Sequence, residues 1–200
     1  MTVTEIFLPG DLHAGDICRH DPSQPWTIED LERLPDIGFR YEIIDGSLVV
    51  SPVPAKPHWR VTYRLRRLLE PQAPPQFVVS AENPGIRIDD GHSYLVPDLA
   101  VLHTASLAGD QLGFEPADYA LVVEVLSPSN RSHDLVTKRY HYGTAGVPQY
   151  WVVDPRSRQM AVLVHDGQGG YTDTAVVTPD KAWQTDEPFS IELDLTAMFD

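Results

Sequence analysis

Two acidic residues stand inside runs that otherwise read as buried β-strand. Asp98 interrupts Tyr94-Leu95-Val96-Pro97-Asp98-Leu99-Ala100-Val101-Leu102, and Glu124 interrupts Ala120-Leu121-Val122-Val123-Glu124-Val125-Leu126. A carboxylate in a buried strand costs several kcal/mol unless it is paired, hydrogen-bonded or bound to metal. One such group is often a satisfied structural residue. Two on strands that could lie side by side point to convergence. Oxygen-only ligands of this kind suit Mg²⁺, which keeps several waters and takes one or two carboxylates. The Val125 carbonyl could add a further oxygen. The local alternative has Asp98 closing its strand beside Pro97 and Glu124 pairing with a nearby arginine.

The rest of the chain supplies a setting for such a pair. Residues 1–25 are rich in Pro, Gly, Asp and His without a sustained period, and read as an extended arm. Residues 26–200 read as one domain, with no internal repeat and no long linker. Thr27 caps a short helix expected over Ile28–Leu34. Phe39–Ile44 and Ser47–Val50 flank Asp45-Gly46, a strong hairpin signal. Residues 58–69 carry Val61, Leu65, Leu68 and Leu69 at helical spacing, with Arg60, Arg64 and Arg67 beside them. That stripe is either a solvated face or a phosphate-contacting surface.

Further strands are expected at Phe77–Ala81 and Gly85–Ile88, which would form a hairpin around Asn83-Pro84-Gly85, and at Tyr94–His103 and Tyr119–Leu126. A helix is expected over residues 132–143, capped by Asn130 or Ser132. Strands follow at Gln149–Val153, Met160–His165, Tyr171–Val177 and Ile191–Leu195. The pattern predicts an α/β fold, a mixed sheet flanked by helices.

Charge limits the partners. The formal net charge is −14, which argues against nonspecific coating of nucleic acid, since phosphate contacts need Lys and Arg. An enzyme that holds cations and meets a polyanion through a local basic patch remains compatible. Cys18 is the only cysteine, no apolar run is long enough to span a bilayer, and the N-terminus has no signal-peptide pattern. A cytoplasmic protein with no membrane association is the expectation. Lysine is scarce, with only Lys56, Lys138 and Lys181. Lys138 follows Asp134 by four residues. It is either half of a surface ion pair or a cation reaching back over the carboxylates, and spacing does not choose between them.

Three segments carry a resemblance. They are VPDLAVL (residues 96–102), LVVEVLSPSNRSHDLVTKRYHYGTAGVPQYWVVDP (residues 121–155), and the upstream RYEIIDGSLVVSP (residues 40–52) followed by His58. Together, over about Ile28 to Leu195, they resemble the Uma-type putative restriction endonuclease family within the PD-(D/E)XK nuclease superfamily. The resemblance implies a restriction-endonuclease-like mixed β-sheet core flanked by helices, with additional β-hairpins. It implies an Mg²⁺-dependent endonuclease (Mn²⁺ as the other candidate ion) hydrolysing DNA, with Asp98 and Glu124 as the metal-binding acids.

The superfamily's lysine normally stands two residues after the second acid, where this chain has Leu126. The Uma-type pattern moves it to the next helix, at Lys138. Glu42 resembles an additional N-terminal acid, or else is a solvent-facing residue of the Asp45-Gly46 hairpin. His58 is a weaker candidate at a helix start, and Arg131 and Arg139 could join the arginine stripe in guiding a DNA backbone. A homodimer would match the twofold symmetry of a duplex. Two other readings stay open: a non-catalytic DNA- or protein-binding member of the fold, and a metal-dependent hydrolase of small anionic substrates.

Overall fold

The computed structural model describes residues 20–200 except 22, 36–37, 53, 82–84, 110–111, 128–130 and the Asp90 side chain. The arm expected over residues 1–25 lies outside the described residues as far as residue 19, and so does the Asn130 cap.

The first elements follow local chemistry. Helix α1 (Ile28–Leu31) starts at Thr27, whose backbone N–H is accepted by Asp30 Oδ2 at 3.0 Å. It is shorter than expected, because Leu34 N–H turns back to the Leu31 carbonyl at 3.1 Å and tightens the last turn. Strands β1 (Phe39–Ile44) and β2 (Ser47–Pro52) pair antiparallel, with Ile44 opposite Ser47. Asp45 and Gly46 both hold positive φ, 47° and 74°, as a two-residue hairpin turn requires. A Cβ on Gly46 would fall 2.7 Å from Pro25 Cβ, so the close approach of Pro25 also selects glycine. Helix α2 (Lys56–Leu69) buries Val61, Leu65 and Leu69.

The remaining strands are β3 (Phe77–Ser80), β4 (Ile86–Ile88), β5 (Ser93–Leu95), β6 (Leu99–His103), β7 (Tyr119–Val125) and β8 (Gln149–Asp154). Then come β9 (Gln159–His165), β10 (Tyr171–Val177), β11 (Trp183–Thr185) and β12 (Ile191–Leu193). A six-stranded sheet runs β10-β9-β8-β7-β6-β3, a four-stranded sheet runs β2-β1-β5-β4, and β11 pairs with β12. Only β7–β8 is parallel among the pairs of the large sheet. A parallel pair needs a long crossover. Here it contains a π-helical segment (His133–Lys138) running directly into helix α3 (Arg139–Thr144). Helix α4 (Leu195–Phe199) closes the chain.

Three expectations change. The run Tyr94–His103 is two strands in two different sheets, β5 and β6, because Pro97 offers no N–H and the polar groups of Val96 are taken by side chains. The segments at β3 and β4 do not form a hairpin; they too lie in separate sheets. The last strand ends at Leu193, and Leu195 begins α4, with Asp194 Oδ1 accepting from Thr196 N–H at 2.9 Å.

Strand β7 is buried along its whole length, which explains its near-continuous apolar sequence. Leu121, Val123 and Val125 pack in one core with Val61, Leu65 and Leu69 of α2. Tyr119 and Val122 belong to a second core with Tyr142 and Tyr150. By alternation, Glu124 shares the Val122 side of the sheet, the side covered by the crossover.

Candidate active site

Strand β1 brings Arg40 and Glu42 in on one face, two residues apart. Asp98 stands in the short passage between β5 and β6. Glu124 lies near the end of β7, and Lys138 on the crossover. The structure therefore gathers Glu42, Asp98, Glu124 and Lys138, all of them buried.

Lys138 is the hub. Its Nζ lies 2.9 Å from Glu42 Oε1 and 2.9 Å from Glu124 Oε1, and donates to the Val96 carbonyl at 3.2 Å. Asp134 Oδ1 is 4.0 Å away. With Lys138 at 2% exposure and Asp134 buried, the surface-pair reading of these two residues is excluded. The crossover is inverted relative to an ordinary amphipathic helix: Val136 is 68% exposed and Tyr140 65%, while Asp134, Lys138 and His141 face inward.

Asp98 has three partners. Arg40 Nη2 donates to Oδ1 at 2.8 Å, Val125 N–H donates to Oδ2 at 2.8 Å, and His58 Nε2 lies 2.8 Å from Oδ2. The Val125 contact ties Asp98 to the residue next to Glu124. Glu124 Oε1 also accepts the Tyr142 hydroxyl at 2.9 Å. Glu42 Oε1 accepts the Val96 N–H at 2.8 Å, so Glu42 is an inward-facing member of the cluster and not a solvent-facing hairpin residue.

Sequence reasoning missed Arg40 and Tyr142 and undervalued Asp134. The two-residue spacing of Arg40 and Glu42 on a strand was a usable signal for Arg40. Tyr142, four residues after Lys138, had none beyond helical spacing. Arg131 and Arg139 pair with Asp154 at 2.7 Å and Asp173 at 3.0 Å.

The titration behaviour follows from the packing. Burial would raise Asp98 and Glu42, but the first is held below the ordinary carboxylate range by His58 and Arg40, and the second by Lys138 and Arg40. Burial dominates at Glu124, which sits well above that range despite Lys138, with Asp98 and Asp134 adding repulsion. Burial pushes Asp134 up to about 7. Burial opposes the charge on Lys138, but Glu124 and Glu42 overcome it and hold the ammonium charged.

Glu42, Asp98, Glu124 and Asp134 thus face two permanent cations, Arg40 and Lys138. The four carboxylates outnumber the two cations, and Glu124 and Asp134 answer the imbalance by favouring their protonated forms. Asp98, Glu124 and Asp134 line one cavity of about 640 Å³ together with Arg40, His58 and Leu126. Among the described residues, no three His, Cys, Asp or Glu stand close enough to hold an ion without rearrangement. The donor chemistry nonetheless fits a hard divalent cation, which needs only one or two carboxylates with water completing its shell. Such an ion would take the place of the protons that Glu124 and Asp134 favour.

Comparison with known proteins gives a family match and matches among solved structures. The family described as Uma2, putative restriction endonuclease, matches residues 28–198. A protein from Anabaena variabilis, whose crystal structure is described as a putative nuclease belonging to DUF820, superposes with a TM-score of 0.68 at 20% identity. The match covers 88% of this chain and 98% of that one, and shows the restriction-endonuclease-like fold. No curated protein matches the chain.

Proposed function

Because the chain belongs to the Uma2 family, we propose that its buried carboxylate cluster is the active site of a metal-dependent endonuclease that hydrolyses DNA phosphodiester bonds. The observation that carries this reading is a set of three buried carboxylates, Asp98, Glu124 and Asp134, lining one solvent-reaching cavity. Asp98 and Glu124 are the residues that would hold Mg²⁺ or Mn²⁺. An ion bound there supplies Lewis-acid stabilisation of charge on the attacked phosphate and activation of a water.

The chain's own residues prepare the site. Val125 N–H fixes Asp98 beside Glu124. Lys138 and Tyr142 fix Glu124 through Oε1. Glu42 shares the lysine and so sets its position between the two strands. Lys138 holds its proton, and its fixed charge beside Glu124 would favour negative charge developing on a phosphoryl oxygen in the adjoining cavity. Arg40 and His58 line the cavity beside Asp98. They are placed to meet phosphate oxygens when the acid engages a cation. On a duplex, two chains related by a twofold axis would place one such site on each strand. The reading also expects a cytoplasmic protein; no helix among the described residues is long and apolar enough to cross a membrane.

A second reading is favoured by one observation. Asp98 already has three partners, as in a non-catalytic member that keeps its acids for structure. A cleavage assay on plasmid DNA with added Mg²⁺ or Mn²⁺ separates the two. The endonuclease reading expects cutting by the wild type and a loss of at least about 100-fold in Asp98→Asn and Glu124→Gln, on the scale of removing one electrostatic stabiliser. Cutting that survives both substitutions would rule out the cluster as the active site, and no cutting by the wild type with either ion would favour the non-catalytic member. Lys138→Met, checked for folding by thermal unfolding, should bind Mn²⁺ yet cut poorly.

A further inference from the structure

Helix α2 carries the cavity wall on one side and an exposed aromatic-basic stripe on the other. Its fourteen residues include Lys56, Arg60, Arg64, Arg66 and Arg67 and no acid, in a chain with only 15 Lys and Arg and a net charge of −14. A third of the chain's cations therefore sit on one helix. Lys56, Trp59, Arg60, Tyr63 and Arg67 recur at three- and four-residue spacing and are all exposed, so they form one continuous stripe.

Trp59 is 60% exposed and Tyr63 44%. Their rings stack in parallel, with centroids 5.1 Å apart and planes 9° from each other. The Arg67 guanidinium lies 5.9 Å from the Tyr63 ring centroid. Burial does not account for two large aromatic rings in solvent, since α2 packs on the sheet through its other face. The stripe also connects to the chemistry. Trp59 lines a cavity of about 300 Å³ together with Asp98, Arg40 and His58, and His58 precedes it on the helix.

We propose that Trp59 and Tyr63 form a stacking platform for unpaired bases of a single-stranded nucleic-acid segment, with Lys56, Arg60 and Arg67 against its phosphates and the strand leading to Asp98. This deepens the endonuclease reading and rests on it for the position of the scissile bond. The combination is the one that single-strand binding requires: flat aromatic faces that any base can stack on, flanked by cations that track the backbone. A paired duplex hides its base faces and can use only the cations. The positive stripe within an acidic chain selects a polyanion over a neutral or basic partner.

The test is binding in EDTA, so that cleavage plays no part. Fluorescence anisotropy would compare a labelled oligothymidylate of about a dozen nucleotides, a size such grooves cover, with a duplex and an abasic strand of equal length. The expected result is binding of oligothymidylate at least about tenfold tighter than either, with Trp59→Ala and Tyr63→Ala each losing about tenfold. Trp59→Phe should retain most of the affinity, and neither alanine variant should alter binding of the abasic strand.

Equal affinity for the abasic strand, or no effect of Trp59→Ala, would overturn the platform. So would a dimer-to-monomer change in Trp59→Ala by sedimentation with oligothymidylate binding untouched, since the stripe would then cover a second copy. If the wild type and Asp98→Asn both bind oligothymidylate through Trp59 and neither cuts DNA with metal, the endonuclease reading fails and the platform stands.

Discussion

Lys138 shows how much a single residue can depend on its surroundings. A buried ammonium is costly alone, and here it is held charged by carboxylates at 2.9 Å on two separate strands. Removing one member of such a set usually costs about 3–5 kcal/mol, because the others are left unpaired. Asp134 is a member whose charge the set stabilises poorly. Its folded pKa of about 7 lies above the ordinary 3.8, so between those values the folded state holds a proton that the unfolded state has lost. Asp134 therefore contributes a decrease in stability as pH rises through that window.

Asp134→Asn removes that dependence. Urea denaturation should show the variant gaining on the wild type from about pH 4.5 to 7.5, by at most about 4 kcal/mol. Parallel pH profiles would mean that the ionised Asp134 is tolerated. The four clustered residues were legible to different degrees. Asp98 and Glu124 stood out because each breaks an apolar run. Lys138 was legible only through resemblance, because the crossover buries its polar side and exposes Val136 and Tyr140, and periodicity expects the opposite.

At the scale of elements, the passage from β5 to β6 is the decisive feature. It carries Asp98 between the two larger sheets and is held by side chains where a strand ladder would otherwise hold it. Glu42 takes the Val96 N–H, while Lys138 and Arg40 donate to the Val96 carbonyl at 3.2 and 3.4 Å. Glu42→Ala should therefore free this passage selectively. Amide exchange by NMR should be about tenfold or more faster at Val96, the scale of losing a hydrogen bond to a charged acceptor, while Val101 in β6 stays protected. Equal acceleration at both would mean global loosening. The Asp45-Gly46 hairpin, α2, β7 and the β9–β10 hairpin were readable from turn residues and periodicity. The division at Pro97 was not, because Tyr94–His103 is apolar on both sides of the break. Pro97 is the one local sign of the break, and the distant partners Glu42 and Lys138 hold the chain where it changes sheet.

Over the whole molecule, charge is distributed against its average. The chain is strongly acidic, yet its dense basic stripe lies on the helix that also lines the carboxylate cavity. Net charge read from composition therefore said little about a substrate that would meet only one face. The two sheets meet where β1, the β5–β6 passage, β7 and the crossover all contribute charged residues, so the site exists only once the complete topology has formed. Whether that site is a metal centre is most directly tested by anomalous diffraction from crystals grown with Mn²⁺. The expected result is a single peak in the cavity at about 2.2 Å from oxygens of both Asp98 and Glu124, typical of a hard-ion carboxylate site, and absent in Asp98→Asn. Cleavage-competent crystals with no peak between those two carboxylates, or with Mn²⁺ bound elsewhere, would contradict it.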